Sequence, residues 1–344
     1  MTQAFDSETY LIEPGRVAPK LVSVGFLDVE NDDIEDRHAV TMLGPQDKPE
    51  ICDRLFERGE IVAGANTPFD LGVIAEEFPD TLPEVFKLYR EDKTWDVQTV
   101  DKMAHIAAGW SKFRADGEAM RVKGAYSLAS VTRRNLGIKM EGKKGDDIWR
   151  LKYDQLADIP FEDWPEEAKK YAQLDVCYTG QIAAGQMPHK DKLPTMDLQH
   201  KAHWALHLMT AWGVRTDPTK VALLEDKLLT KKALADAQLK KHGLRRLDGS
   251  KNMAVIHKHV IAAYEKLGKK YPKTKTGKPQ ASEEALRGSE DPLLLELADI
   301  AATDTIISKF LSVIKQGVSL PINAMANILV DTGRTSFARP NTQQ

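Results

Sequence analysis

The feature that most constrains this chain is a break in its pattern at residues 186–194, where Pro188 and Pro194 flank a charged stretch. Before the break, short runs with strand alternation are interleaved with helical stretches, the order of an α/β domain. After it, apolar residues recur mostly at helical spacing. At 344 residues, the chain is long enough for two cores. Charge divides along the same line. Residues 1–190 carry 24 Lys+Arg against 35 Asp+Glu, a net −11, and residues 191–344 carry 24 against 16, a net +8. An acidic half joined to a basic half implies separate tasks.

Within the first half, Gln3–Tyr10 reads as a short strand and Leu21–Asp28 as its hairpin partner. Ile61–Ala65 is a third apolar run leading into a helix, with Thr67 as N-cap and Pro68 at the first helical position. A further helix starts near Asp163 and runs to about Ala184, its first turn holding the acidic residues a helix dipole favours. In the second half, Leu198–Trp212 stops at Gly213, and Asp217-Pro218 restarts a helix that runs to Gly243. Ala254–Leu267 and Leu293–Lys315 are two more amphipathic stretches, and the polar segment Lys269–Gly288 reads as a mobile arm. The stretch 142–147 (GKKGDD) reads as a turn and not as a phosphate-binding loop.

Residues 231–278 hold 14 basic and 3 acidic residues, including Lys240, Lys241, Arg245, Arg246, Lys269, Lys270, Lys273, Lys275 and Lys278. Clustering beside turn residues favours a polyanion partner over a merely solvated face. Two cysteines, Cys52 and Cys177, make neither a disulfide framework nor a Cys-based zinc site. His200, His203 and His207 share one helix face, but no adjacent carboxylate or cysteine completes a zinc set, so they are expected to be exposed or core-edge residues. The opening residues lack a secretory signal, and no apolar run approaches the roughly 18–20 residues that span a bilayer. A cytoplasmic location and no membrane partner are expected.

Three spacings carry chemistry. Asp6-Ser7-Glu8 is a D-x-E on a strand, and period-two alternation points both carboxylates the same way, as a hard divalent ion requires. Asn66-Thr67-Pro68-Phe69-Asp70 follows a strand and opens a helix; alone, Asp70 would be read as a helix cap. Tyr171 and Asp175, four apart, are neighbours on one helix face. Each spacing is common by itself, and the ordered combination is much rarer.

That combination resembles the proofreading 3′→5′ exonuclease domain of family A DNA polymerases, a member of the DnaQ-like (DEDD) superfamily. FDSET, GANTPFD, YSLASVTRRNLGI at Tyr126–Ile138 and WPEEAKKYAQLDV at Trp164–Val176 match in order over roughly residues 3–187. Lys170 and Tyr171 stand where the two subtypes differ, so the chain resembles the tyrosine subtype. The resemblance implies an RNase H-like mixed-sheet α/β domain over residues 1–190. It implies two Mg²⁺ ions, with Mn²⁺ able to substitute, and release of nucleoside 5′-monophosphates. Two such ions, typically about 3.5–4 Å apart, offset the mutual repulsion of four clustered carboxylates. By the same resemblance Asp6 bridges both ions, Glu8 and Asp175 hold the nucleophile-side ion, and Asp70 serves the second. Tyr171 would aim the attacking water. Asn66 and Phe69 would line the terminal nucleotide, and Ile12 would wedge against the last base.

The second half resembles the continuation of the same family. Leu198–Thr216 followed by Asp217 is similar to the region after the exonuclease, and Lys273–Leu286 to the tip of the thumb. Thr332–Gln343 is similar to the T-G-R-x-S-…-P-N-x-Q entry to the palm, with Gln344 in place of the usual Asn. A mainly helical thumb-like region at 191–317 and a palm start at 318–344 follow, with Arg334, Asn341 and Gln343 contacting primer–template DNA. The palm aspartates and the fingers helix would lie beyond Gln344, so a longer chain or a second polypeptide is expected to supply them. Two rivals remain: an RNase D-like exoribonuclease, and a DNA-clamping module with a vestigial nuclease site.

Overall fold

The computed structural model describes residues 1–109, 126–140, 149–328, 330 and 334–341. The segment 142–147, and Thr332, Gly333, Thr342 and Gln343 of the expected palm entry, lie outside the described residues. The chain divides into two compact units, Met1–Gly213 with Asn323–Gln344, and Val214–Ile322. Among the described residues no helix is long and apolar enough to cross a membrane.

The first unit is built on strands β1 (Thr2–Thr9), β2 (Leu21–Asp28), β3 (Thr41–Leu43), β4 (Ile61–Gly64) and β5 (Thr94–Asp96). Its helices are α1 (Lys48–Cys52), α2 (Thr67–Glu77), α3 (Leu82–Arg90), α4 (Val97–Ala107), α5 (Leu128–Leu136), α6 (Glu166–Gln186) and α7 (Met196–Trp212). The sheet order is β3-β2-β1-β4-β5. β2 is antiparallel to β1 and β3, while β4 is parallel to β1 and β5. The expected mixed α/β sheet is therefore present, with β1 at its centre.

Helices cover both faces of the sheet. On one face Phe5 packs with Leu71 and Ile74 of α2, Val85 and Leu88 of α3, and Trp204 of α7. On the other, Ala4 and Leu27 pack with Val176 and Cys177 of α6. Each large apolar side chain buried in this way contributes about 1.5–3 kcal/mol. Helix α6 comes close to the sheet because Gly25 of β2 has no side chain. A Cβ there would lie 2.8 Å from Val176 Cγ2 and 2.8 Å from Met42 Sδ. Gly25 pairs directly with Asp6 of β1, so this close approach falls beside the D-x-E. Gly25→Val is expected to lower unfolding free energy by about 1–3 kcal/mol through overpacking against Val176 and Met42. Urea titration checks this, and an unchanged midpoint would show that the close approach is dispensable.

Helix α7 belongs to the first unit. Trp204 is 3% exposed and stacks on Tyr89 with ring centroids 5.2 Å apart. The boundary expected near residue 190 therefore lies at 213/214. The proline-flanked stretch is a helical turn, Met187–Lys192, that links α6 to α7. The chain turns away only at Gly213, at φ 66. Residues from 323 onward fold back onto the first unit. Strands β6 (Met325–Asn327) and β7 (Ser336–Ala338) pair antiparallel, and Asn323 donates to the Thr210 carbonyl at 2.8 Å.

The second unit is helical, as expected: α8 (Pro218–Lys241), α9 (Met253–Lys266), α10 (Glu283–Arg287), α11 (Pro292–Ile306) and α12 (Ser312–Ser319). Asp217 caps α8 by accepting from the Lys220 amide at 3.0 Å. Leu239, Leu244, Ile256, Val260, Leu294 and Ile300 form its core. Arg245, counted with the basic stretch, is instead buried between Asp236 at 2.8 Å and Asp304 at 2.5 Å. Its charge is spent inside the unit. The segment expected as a mobile arm contains a small hairpin. Lys273 bridges to Pro279, and the Thr274 amide donates to the Lys278 carbonyl at 2.8 Å. Gly277 at φ 82 lets the tip turn, and Lys273, Lys275 and Lys278 stand exposed on it.

Candidate active site

Alternation along β1 decides which side chains meet. Asp6 and Glu8 share the face of Ala4, which is the face packed by α6. Asp6 pairs with Gly25 and Glu8 with Ser23, after which the register slips between Glu8 and Thr9. Helix α6 opens after Pro165 with Glu166 and Glu167 in its first turn. Two turns later Tyr171 and Asp175 lie on its inner side. Glu8 is 6% and Asp175 8% exposed. The electrostatics tie the four groups together. Burial pushes the Tyr171 phenol above its ordinary range, and the nearby negative charges of Asp175, Glu8 and Asp6 push it further, against an opposing pull from Arg150. Tyr153 shows the same pattern: burial first, then Glu8, Asp175, Tyr171 and Asp6.

Asp70 is placed differently. It is 2% exposed, and its Oδ1 accepts from Ser7 Oγ at 2.5 Å and from the Ser7 amide at 3.3 Å. Ser7 points to the face of β1 opposite Asp6 and Glu8. Three carboxylates therefore face the same side of β1, the side that α6 covers, and the fourth lies on the other. Burial pushes the Asp70 carboxyl up to about 7, Asp96 adds to the rise, and the Ser7 hydrogen bonds oppose it. Its other oxygen, Oδ2, is buried without a hydrogen-bond partner.

Asp70 is not the cap of α2, and neither is Thr67. The cap position is Asn66, in the left-handed region at φ 71 and ψ 46, which asparagine tolerates better than most residues. The free Thr67 amide donates instead to Asp96 Oδ2 at 2.8 Å. Asp96 Oδ1 meanwhile accepts from the Thr99 amide at 2.7 Å, capping α4. One buried carboxylate thus fixes the start of two helices, including the one that carries Asn66, Phe69 and Asp70. The Asp96 amide donates to His200 Nε2 at 3.3 Å, and His203 Nδ1 lies 3.8 Å from Asp96 Oδ2. His200 is 2% exposed, while His203 and His207 are part-buried, so two of the three sit at the core edge, as expected, and His200 lies deeper.

Three carboxylates on one strand–helix face are the oxygen donors that a hard cation selects. The orphaned Asp70 Oδ2 is a fourth such atom, and the residues fit the group in kind. The side chains are not closed around a point: among the described residues no group of three or more His, Cys, Asp or Glu is gathered to hold a metal ion. The remaining expected residues spread further. Ile12 is 59% exposed in the loop after β1. Phe69 is partly buried against the core of the first unit. Arg334 is exposed just before β7, and Asn341 follows the same strand.

Sequence reasoning missed Ser7, Asp96 and Tyr153. Asp96 had a visible signal, an Asp three residues before Thr99 at a strand–helix junction. Tyr153 had none, because its neighbours come from distant segments.

No protein-family model matches the chain, and no curated protein sequence matches it. Among solved structures, the chain is similar to the POL domain of Pol1 from M. smegmatis, determined in complex with a DNA primer-template and dNTP. The TM-score is 0.59 at 15% sequence identity, over 100% of this chain and 52% of that one. The chain shares the fold of that polymerase domain and spans about half its length.

Proposed function

We propose that the first unit is a metal-dependent 3′→5′ exonuclease that removes nucleotides from a DNA 3′ end, the proofreading portion of a family A-type polymerase. This reading is carried by the face that Asp6 and Glu8 share on β1, which α6 covers with Tyr171 and Asp175 electrostatically close to them. The five-stranded mixed sheet agrees with an RNase H-like nuclease, and the likeness to a polymerase domain supports DNA as the substrate.

Asp6, Glu8 and Asp175 would hold one divalent ion, and Asp70, whose Oδ2 is buried without a hydrogen-bond partner, would serve a second. When bound, Mg²⁺ or Mn²⁺ supplies Lewis acidity at the scissile phosphate and lowers the pKa of a ligated water. The Tyr171 phenol keeps its proton, since burial and its acidic neighbours raise its pKa. It therefore acts by donating and accepting hydrogen bonds that hold the attacking water in line, not as a phenolate base. Asn66, Phe69 and Ile12 would grip the terminal nucleotide. The hairpin lysines of the second unit, with Arg334, Asn341 and Gln343, would contact the duplex backbone and primer terminus.

Digestion of 5′-labelled single-stranded DNA with Mg²⁺ tests the proposal. Stepwise shortening that EDTA stops and nucleoside 5′-monophosphate products are expected. A matched RNA oligonucleotide degraded faster than DNA would favour an exoribonuclease. No digestion at all would leave a DNA-clamping module.

A further inference from the structure

On the strength of the exonuclease reading, we propose that Tyr153 is a positioning residue that sets the orientation of Tyr171, and through it the aim of the attacking water. Tyr153 lies on a helical turn, Tyr153–Leu156, that packs on β1 and β2 beside the carboxylates. It is 1% exposed. Its ring meets that of Tyr171 edge to face, with centroids 6.2 Å apart and planes at 64°. Edge-to-face pairs are directional, because the positive rim of one ring seeks the negative face of the other. Tyr171 is only partly buried, so a fixed partner on its inner side restricts its swing.

Tyr153 is itself well fixed. Its hydroxyl donates to the Ala168 carbonyl at 3.0 Å, one turn before Tyr171 on α6. Trp164 packs at 5.4 Å and Trp149 at 6.3 Å. Trp164 is tied in turn by its indole N–H to the Ile159 carbonyl at 2.9 Å. The phenol of Tyr153 donates to the Ala168 carbonyl of the helix backbone, which leaves its ring to orient Tyr171.

The test is a double-mutant cycle with a spectroscopic arm. Tyr153→Leu is expected to lower kcat roughly 10-fold with KM for DNA within about 2-fold, the signature of lost alignment. In a Tyr171→Phe background the same change should lower kcat by less than about 2-fold, since the hydroxyl being aimed is already gone. Tyr153→Phe keeps the ring and should stay within about 3-fold of wild type. Mn²⁺ affinity, read by titration calorimetry, should not change, because the carboxylates are untouched. With 3-fluorotyrosine at position 171, Tyr153→Leu should shift and broaden the fluorine resonance, whereas Tyr264→Phe in the second unit should not. Equal losses in both backgrounds, a KM-only effect, weakened Mn²⁺ binding, or an unmoved resonance would each overturn the proposal. A wild-type protein without nuclease activity would instead sink the exonuclease reading, and the fluorine signal would still report whether Tyr153 fixes Tyr171. A Tyr153→Leu protein that fails to fold leaves Tyr153→Phe and Tyr153→Met as the informative variants, with Met expected to behave as Leu.

Discussion

Asp6→Ala and Asp175→Ala are expected to reduce digestion of a single-stranded 3′ end by about 10³-fold or more, on the scale of a lost ion that stabilises the transition state by several kcal/mol. The two variants should nevertheless stay folded. Asp6, Glu8 and Asp175 crowd like charges onto the face between β1 and α6, with Glu8 and Asp175 largely buried. Removing one relieves repulsion and a desolvated charge, so metal-free stability should hold or rise. Thermal unfolding in EDTA beside a time course of 3′ digestion measures both. Digestion by either variant at the wild-type rate would place the chemistry elsewhere. Asp70→Ala should be milder in rate, because Asp70 is hydrogen-bonded to Ser7 on the opposite face of β1. This ordering separates the observed geometry from a picture of four equivalent ligands.

Acid should unfold the first unit through α7. Burial pushes the His207 imidazole down to about 4, with His203 contributing. Its Nε2 is sealed from solvent without a partner. That atom sits against Gly72 of α2, where a Cβ would lie only 2.5 Å from it. Burial also lowers the pKa of His200 and His203, although Asp96 opposes the shift in both. Between roughly pH 6.5 and 4 the unfolded chain therefore binds more protons than the folded one. Stability is full above pH 6.5 and is lost as the pH falls through that window. His207 alone accounts for on the order of 2–3 kcal/mol, allowing for its partial exposure. His207→Leu should flatten the fall in melting temperature between pH 6.5 and 4, and an unchanged slope would exonerate this residue. A side chain at position 72 would have to displace the His207 ring.

Much of the secondary structure was legible because it rests on local rules. The first strand, its hairpin partner and the helix at Thr67 lie within a residue of expectation, and the helix holding Tyr171 starts three residues later than expected. The Thr67 cap was misplaced by one residue. What replaced it, a left-handed Asn66 with its neighbour's amide served by Asp96, depends on a strand 30 residues away. The boundary near Pro188 and Pro194 was misread for a related reason. Prolines and charges mark a turn, but only packing shows whether the helix beyond it docks back, and Trp204 does dock on Tyr89. Basic composition likewise overstated the polyanion surface, because Arg245 is consumed by Asp236 and Asp304.

By itself, the sequence determined how each group is aimed within its own element: Asp6 with Glu8 by period two, Tyr171 with Asp175 by one helical turn. These are properties of a backbone repeat, and they hold whatever the element packs against. Which elements share a face was decided only by the tertiary structure. Gly25 lets α6 settle against the even side of β1, and this brings Asp175 and Tyr171 to Asp6 and Glu8. α2 packs on the odd side, and this carries Asp70 to Ser7. Periodicity fixes direction relative to a local axis, whereas contact depends on the shapes of two surfaces distant in sequence, and Tyr153 found its place beside Tyr171 by that route alone.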